Sequence, residues 1–107
     1  KLILLDIARF KQINLEFGDR AGDSILFSFS KSLNEFAKEQ GLEAFHLKGD
    51  IFALVANMPF DLSSMEKLIF AINDFCQDKS FYYKQETIEI KLHLGICLDQ
   101  KNLIKKA

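Results

Sequence analysis

Residues 1 to 7, Lys-Leu-Ile-Leu-Leu-Asp-Ile, form a short and nearly continuous apolar run. Such a run predicts a strand buried on both faces, since a strand with one wet side alternates. The chain must therefore supply sheet neighbours for it and cover above it. A short helix is expected over residues 9 to 16, ended by Gly18. A longer one starts near Asp23 or Ser24, carries Leu26, Phe29, Leu33, Phe36 and Ala37 on one stripe, and is closed by Gly41. Residues 43 to 48 and 51 to 57 read as two strands joined at Gly49-Asp50, a turn-favouring pair. The next helix opens on a capping box from Ser63 to Glu66 and has an apolar stripe of Met65, Leu68, Ile69, Ile72 and Phe75. From Thr87 to Leu98, apolar and other residues alternate strictly, which predicts one long half-buried strand, with Tyr82 and Tyr83 adding a short strand before it.

The order β-α-α-β-β-α-β predicts an α+β fold of ferredoxin-like or palm type, a mixed, mainly antiparallel sheet with helices on one face. In that topology the third strand lies antiparallel beside the first. Asp6, near the end of the first strand, then meets Asp50, in the turn before the third. At 107 residues the chain is one domain with one core. The eleven phenylalanines sit mostly at core-like positions and read as packing. A net charge of −1 leaves no electrostatic footprint for nucleic acid or for an anionic membrane, so a phosphate ligand has to be held by a metal ion and local backbone. Cys76 and Cys97 have no metal-ligand spacing and are too few for a disulfide scaffold, which predicts a reducing, cytoplasmic location. No apolar run approaches the roughly 20 residues of a membrane span, and there is no signal peptide. The chain begins inside an apolar strand and stops in a helix-like segment, Leu103 to Ala107. It reads as a single domain over residues 1–107, truncated at both ends with its final helix incomplete.

Several polar residues carry two readings. Asp6 at the end of an apolar run is either a cap or solvated strand end, or a ligand for a hard cation such as Mg²⁺. Asn14 suits an exposed helix turn, and Asp23 suits an N-cap. His46 and His93 have no neighbours in sequence that complete a metal set.

Taken together, Asp6-Ile7-Ala8-Arg9-Phe10-Lys11-Gln12-Ile13-Asn14, then Phe17-Gly18, Ala21-Gly22-Asp23 and the hairpin Lys48-Gly49-Asp50-Ile51-Phe52 resemble the GGDEF family. These are diguanylate cyclase domains, which join two GTP molecules into cyclic di-GMP. The resemblance implies that Asp6, the Ile7 carbonyl and Asp50 hold Mg²⁺. It implies that Phe10 and Lys11 belong to the loop meeting the triphosphate, and that Asn14 and Asp23 hydrogen-bond guanine. A base with an N–H and an amino group side by side satisfies that last pair, and adenine lacks it.

The departures are as informative. Ile51 stands where the family has its catalytic glutamate, and a hydrocarbon neither binds a cation nor moves a proton. Loss of such a group typically costs roughly 10²- to 10⁴-fold in rate. Lys48 replaces the first glycine of the signature, putting a long side chain where the family keeps bare backbone. Ala8 stands where the family commonly has a second aspartate, and His93 where it has a serine. The family's product-inhibition motif, Arg-x-x-Asp shortly before the signature, is missing, since the only arginines are Arg9 and Arg20, far upstream of the hairpin. The reading is a degenerate GGDEF domain without catalytic residues, acting as a GTP-binding or dimerising regulatory module, as a homodimer or beside an EAL-type phosphodiesterase domain. An active cyclase with an unusual signature and a ferredoxin-like interaction module without nucleotide are the alternatives.

Overall fold

The computed structural model describes residues 2–56, 62–77 and 79–97. Strand β1 (Leu2–Ile7) leads to helix α1 (Phe10–Phe17), helix α2 (Asp19–Gln40), strands β2 (Glu43–Lys48) and β3 (Ile51–Val55), helix α3 (Leu62–Cys76), and strands β4 (Lys79–Tyr83), β5 (Glu86–Ile90) and β6 (Leu92–Cys97). The main sheet has the order β2-β3-β1-β6, and β4 and β5 form a separate two-stranded sheet. β1 is antiparallel to both neighbours. The fold is the α+β, palm-like one that the element order implies.

β1 is central, and its apolar run is buried on both sides as expected. Ile3, Leu5 and Ile7 join Phe52 and Leu54 in the main core. Leu2 lies on the opposite face with Ala53 and Val55, and Leu4 packs against them. All three helices serve the first face, through Ile13 of α1, Ile25, Phe29 and Leu33 of α2, and Leu68 and Ile72 of α3. Ile88 and Ile90 of β5 close the same core.

Four sequence expectations need correction. α2 begins at Asp19, so Asp23 lies inside the helix and is not its N-cap. Its buried stripe runs through Ile25, while Leu26 is half-buried. Ser63 likewise sits within α3, which starts at Leu62, and does not cap it. The alternating segment is two strands, because Lys91 lies between β5, which pairs with β4, and β6, which pairs with β1. Asn57, Leu98 and the segment Leu103–Ala107, which carry the expected end of β3, the last alternating residue and the final helix, fall outside the described residues.

Candidate functional site

The turn Gly49-Asp50 links β2 to β3 with Gly49 at φ 52°, a left-handed conformation that glycine adopts without steric cost. The turn is held from both sides. His46 Nε2 donates to the Gly49 carbonyl at 2.6 Å, and the His46 ring stacks on Phe52 with centroids 4.3 Å apart. The backbone N–H of Ile7 donates to the Asp50 carbonyl at 3.2 Å, tying the turn to the end of β1. Leu47 is the extra residue of a bulge between His46 and Lys48, which ends the β2–β3 pairing at the turn.

This arrangement brings the Asp6 and Asp50 carboxyls together. Asp6 has its pKa raised above the ordinary value, first by a hydrogen bond to Asp50, then by partial burial and the Asp50 charge, with His93 acting in the opposite sense. A cation between two carboxylates this close would relieve their mutual repulsion. The pair therefore fits a divalent cation of the Mg²⁺ class, held with the backbone carbonyls and waters that complete an oxygen set. It is a sparse set. Among the described residues, no three His, Cys, Asp or Glu side chains are gathered closely enough to hold a metal ion.

The reason is visible across the sheet. Lys48 pairs with Ile51, Ile51 with Asp6, and Asp6 with His93. Directly opposed residues in antiparallel strands share a face, so these four form one row over β2, β3, β1 and β6. Ile51 thus occupies the place beside Asp6 where a third carboxylate would stand.

After β1 the chain turns through Ala8 and Arg9. The Ala8 N–H donates to the Lys91 carbonyl at 2.7 Å, and Arg9 takes a left-handed conformation, φ 57° and ψ 31°. No side chain caps α1, so its first amides are free of a side-chain acceptor at the end where the macrodipole favours anions. Phe10 is packed against the core and Lys11 is exposed.

Asn14 meets Gly22, the neighbour of Asp23, where α1 packs on α2. A Cβ on Gly22 would overlap the Asn14 carboxamide oxygen and stand 3.1 Å from Phe10 Cζ. That oxygen is buried without a hydrogen-bond partner, an acceptor that a ligand N–H would satisfy. Asp23 follows Gly22 and is exposed. Gly22 is a site residue that sequence reasoning did not single out. Its signal was the Ala-Gly-Asp triplet at a helix start, where glycine is otherwise unfavourable. A separate concavity lies elsewhere. A cleft of about 700 Å³ between α1 and the β4–β5 hairpin is lined by Arg9, Gln12, Glu89, Lys91 and others, and reaches the carboxylate end only at Ala8, Arg9 and His93. Asn14, Asp23 and Asp50 do not line it.

Residues 1–106 match the family described as "Diguanylate cyclase, GGDEF domain". The protein named "Probable diguanylate cyclase DgcF" of Escherichia coli strain K12 is 27% identical over 97 residues, covering 89% of this chain and 30% of its own length. An EAL/GGDEF domain protein from M. capsulatus superposes with a TM-score of 0.73 at 24% identity, over 88% of this chain and 59% of that one. A sensory box/GGDEF family protein from Caulobacter crescentus CB15 gives 0.75 at 22% identity, over 88% and 60%. The chain thus spans under a third of the E. coli relative, and the two structural likenesses speak to the fold.

Proposed function

This chain belongs to the GGDEF family of cyclic di-GMP signalling, and on that premise we propose that it is a regulatory domain that binds GTP without turning it over. The observation that carries this reading is the row across the sheet. Ile51 pairs with Asp6, so a hydrocarbon branch adjoins the carboxylates where the chemistry needs a charged group.

Binding and turnover separate cleanly in this chain. Asn14 offers a buried acceptor, and Asp23 a carboxylate one residue beyond the Asn14–Gly22 contact. Both favour a base with N–H donors, which is guanine and not adenine. The uncapped amides of α1 and the Lys11 ammonium lie on the side where phosphates would follow. Asp6 and Asp50, with the Ile7 carbonyl, would hold Mg²⁺, which when bound neutralises phosphate charge and polarises an attacking hydroxyl. Ile51, which adjoins Asp6 where the family has its glutamate, cannot take the proton. A nucleotide held this way is a signal, read by a second copy of the chain or by an adjoining EAL-type phosphodiesterase domain. The setting is the cytoplasm, and no described helix is long and apolar enough to cross a membrane.

Incubation of the intact protein with Mg-GTP is expected to yield no cyclic di-GMP by chromatography, while calorimetry shows GTP preferred to ATP. Asp23→Ala should weaken GTP binding by about 1.5–3 kcal/mol, tenfold or more. Product formation on the order of 1 per second, or equal binding of both nucleotides, would overturn the reading.

A further inference from the structure

Of the residues that α2 exposes to solvent, all but one are polar or charged. The exception is Phe27, 75% exposed, while Phe29 and Phe36 of the same helix are buried. Phe27 lies outside both hydrophobic clusters, so it is not among the phenylalanines that serve as packing. Its place on the helix brings it to the proposed base site. An α-helix advances about 100° per residue, so Asp23 and Phe27, four apart, stand about 40° from one another on one face. Helical side chains lean toward the N-terminus of their helix, so the surface that Phe27 covers is the turn carrying Asp23. In that turn Gly22 also receives the Asn14 carboxamide, whose oxygen is buried without a hydrogen-bond partner. An unmet acceptor, an exposed carboxylate and an exposed aromatic ring thus gather about one turn of α2.

We propose that Phe27 is the stacking platform for the guanine whose edge Asn14 and Asp23 hold. The proposal rests on the GTP-binding reading and goes beyond it, since that reading accounts only for the edge of the base. Hydrogen bonds in the plane of a purine leave its two faces in water. An aromatic side chain against one face removes apolar surface of both rings from water and adds the attraction of offset π-systems. The contacts then divide their work. Edge contacts tell guanine from adenine, whereas stacking is tolerant of sequence because every base has a π-face. Phe27 therefore contributes affinity, and Asn14 and Asp23 contribute selectivity. The fold leaves Phe27 free for this, because Ile25 and Phe29 on either side of it carry the core contacts of α2.

The test is calorimetry of the intact protein with Mg-GTP and Mg-ATP on wild type, Asp23→Ala, Phe27→Ala and Phe70→Ala. Phe70, on α3, is the control, since at 74% it is as exposed as Phe27. Phe27→Ala is expected to weaken GTP binding about fivefold or more, with ATP binding falling in proportion and the melting temperature unchanged. Phe70→Ala should bind as wild type. The chain has no tryptophan, so Phe27→Trp introduces a sole indole at the site. That variant should keep the wild-type affinity, and GTP should quench its emission. If Phe27→Ala binds GTP as tightly as wild type, or saturating GTP leaves the Phe27→Trp emission unchanged, the assignment of Phe27 is wrong, while a loss in Asp23→Ala leaves the nucleotide reading standing. Equal losses in Phe27→Ala and Phe70→Ala would overturn it too. If wild type binds no GTP, the nucleotide site itself is wrong and the assignment falls with it.

Discussion

Gly22 controls how closely α1 and α2 approach, because its missing side chain is the space that the Asn14 carboxamide fills. Gly22→Ala trades a better helix former for an overlap with a buried amide. The overlap should win, since overpacking of this kind costs about 1–3 kcal/mol against a propensity gain of ~1 kcal/mol. The expected outcome is a lower melting temperature with GTP binding lost, and adding Asn14→Ala should restore part of the stability but none of the binding. Cys76 is a different kind of residue. Burial pushes its thiol up to about 11, with the Lys79 ammonium opposing. It therefore stays protonated at pH 8 and should resist alkylation in the native protein but react once unfolded, as site-resolved mass spectrometry would show. Asp6 and Asp50 were legible as a pair from strand order alone. The place of His93 beside them was not, because the strict alternation around it marks a strand but not which strand it will face.

At the scale of elements, α2 does most of the holding. Phe29 is fully buried and meets Phe52 edge-on, with centroids 4.9 Å apart, and Phe75 at 6.1 Å. It thereby joins the long helix to the strand that follows the signature turn and to α3. Phe29→Ala should cost about 3–5 kcal/mol in denaturant unfolding. Phe27→Ala, two residues earlier but 75% exposed, should stay within about 0.5 kcal/mol. The heptad-like spacing of the buried stripe made this helix readable. Its start was not, since Asp19, Arg20 and Gly22 offer no apolar periodicity, and the first turns are held by the contact with α1. The alternating segment shows the same limit. Its period of two continues unbroken through Lys91, yet β5 pairs with β4 and β6 with β1. The break belongs to the partners, and the Ala8 amide, just past the end of β1, anchors the Lys91 carbonyl there.

At the scale of the whole molecule, the row Lys48–Ile51–Asp6–His93 runs across the sheet from edge to edge, and reversing its lesions tests the reading of function. In the intact protein, Ile51→Glu alone places a carboxylate between Lys48 and Asp6, where the ammonium can pair with it and hold it from a cation. Lys48→Gly with Ile51→Glu removes that competitor, so the two changes should be coupled and not additive. The double variant is expected to make detectable cyclic di-GMP from Mg-GTP, at a specific rate that rises with protein concentration because two loaded domains must meet. A double variant that folds and binds GTP yet makes no product would shift the defect to Ala8 or His93. By itself, the sequence determined the element types, the burial of the first strand on both faces, the convergence of Asp6 with Asp50 and the isoleucine that follows Asp50, because periodicity, turn chemistry and residue identity are local properties. Tertiary structure alone decided that four strands align Lys48, Ile51, Asp6 and His93 in one row, that Asn14 fills the space over Gly22, and that one alternating segment serves two sheets. Those are matters of register and packing between segments distant in the chain, and no local pattern encodes which residue will lie opposite which.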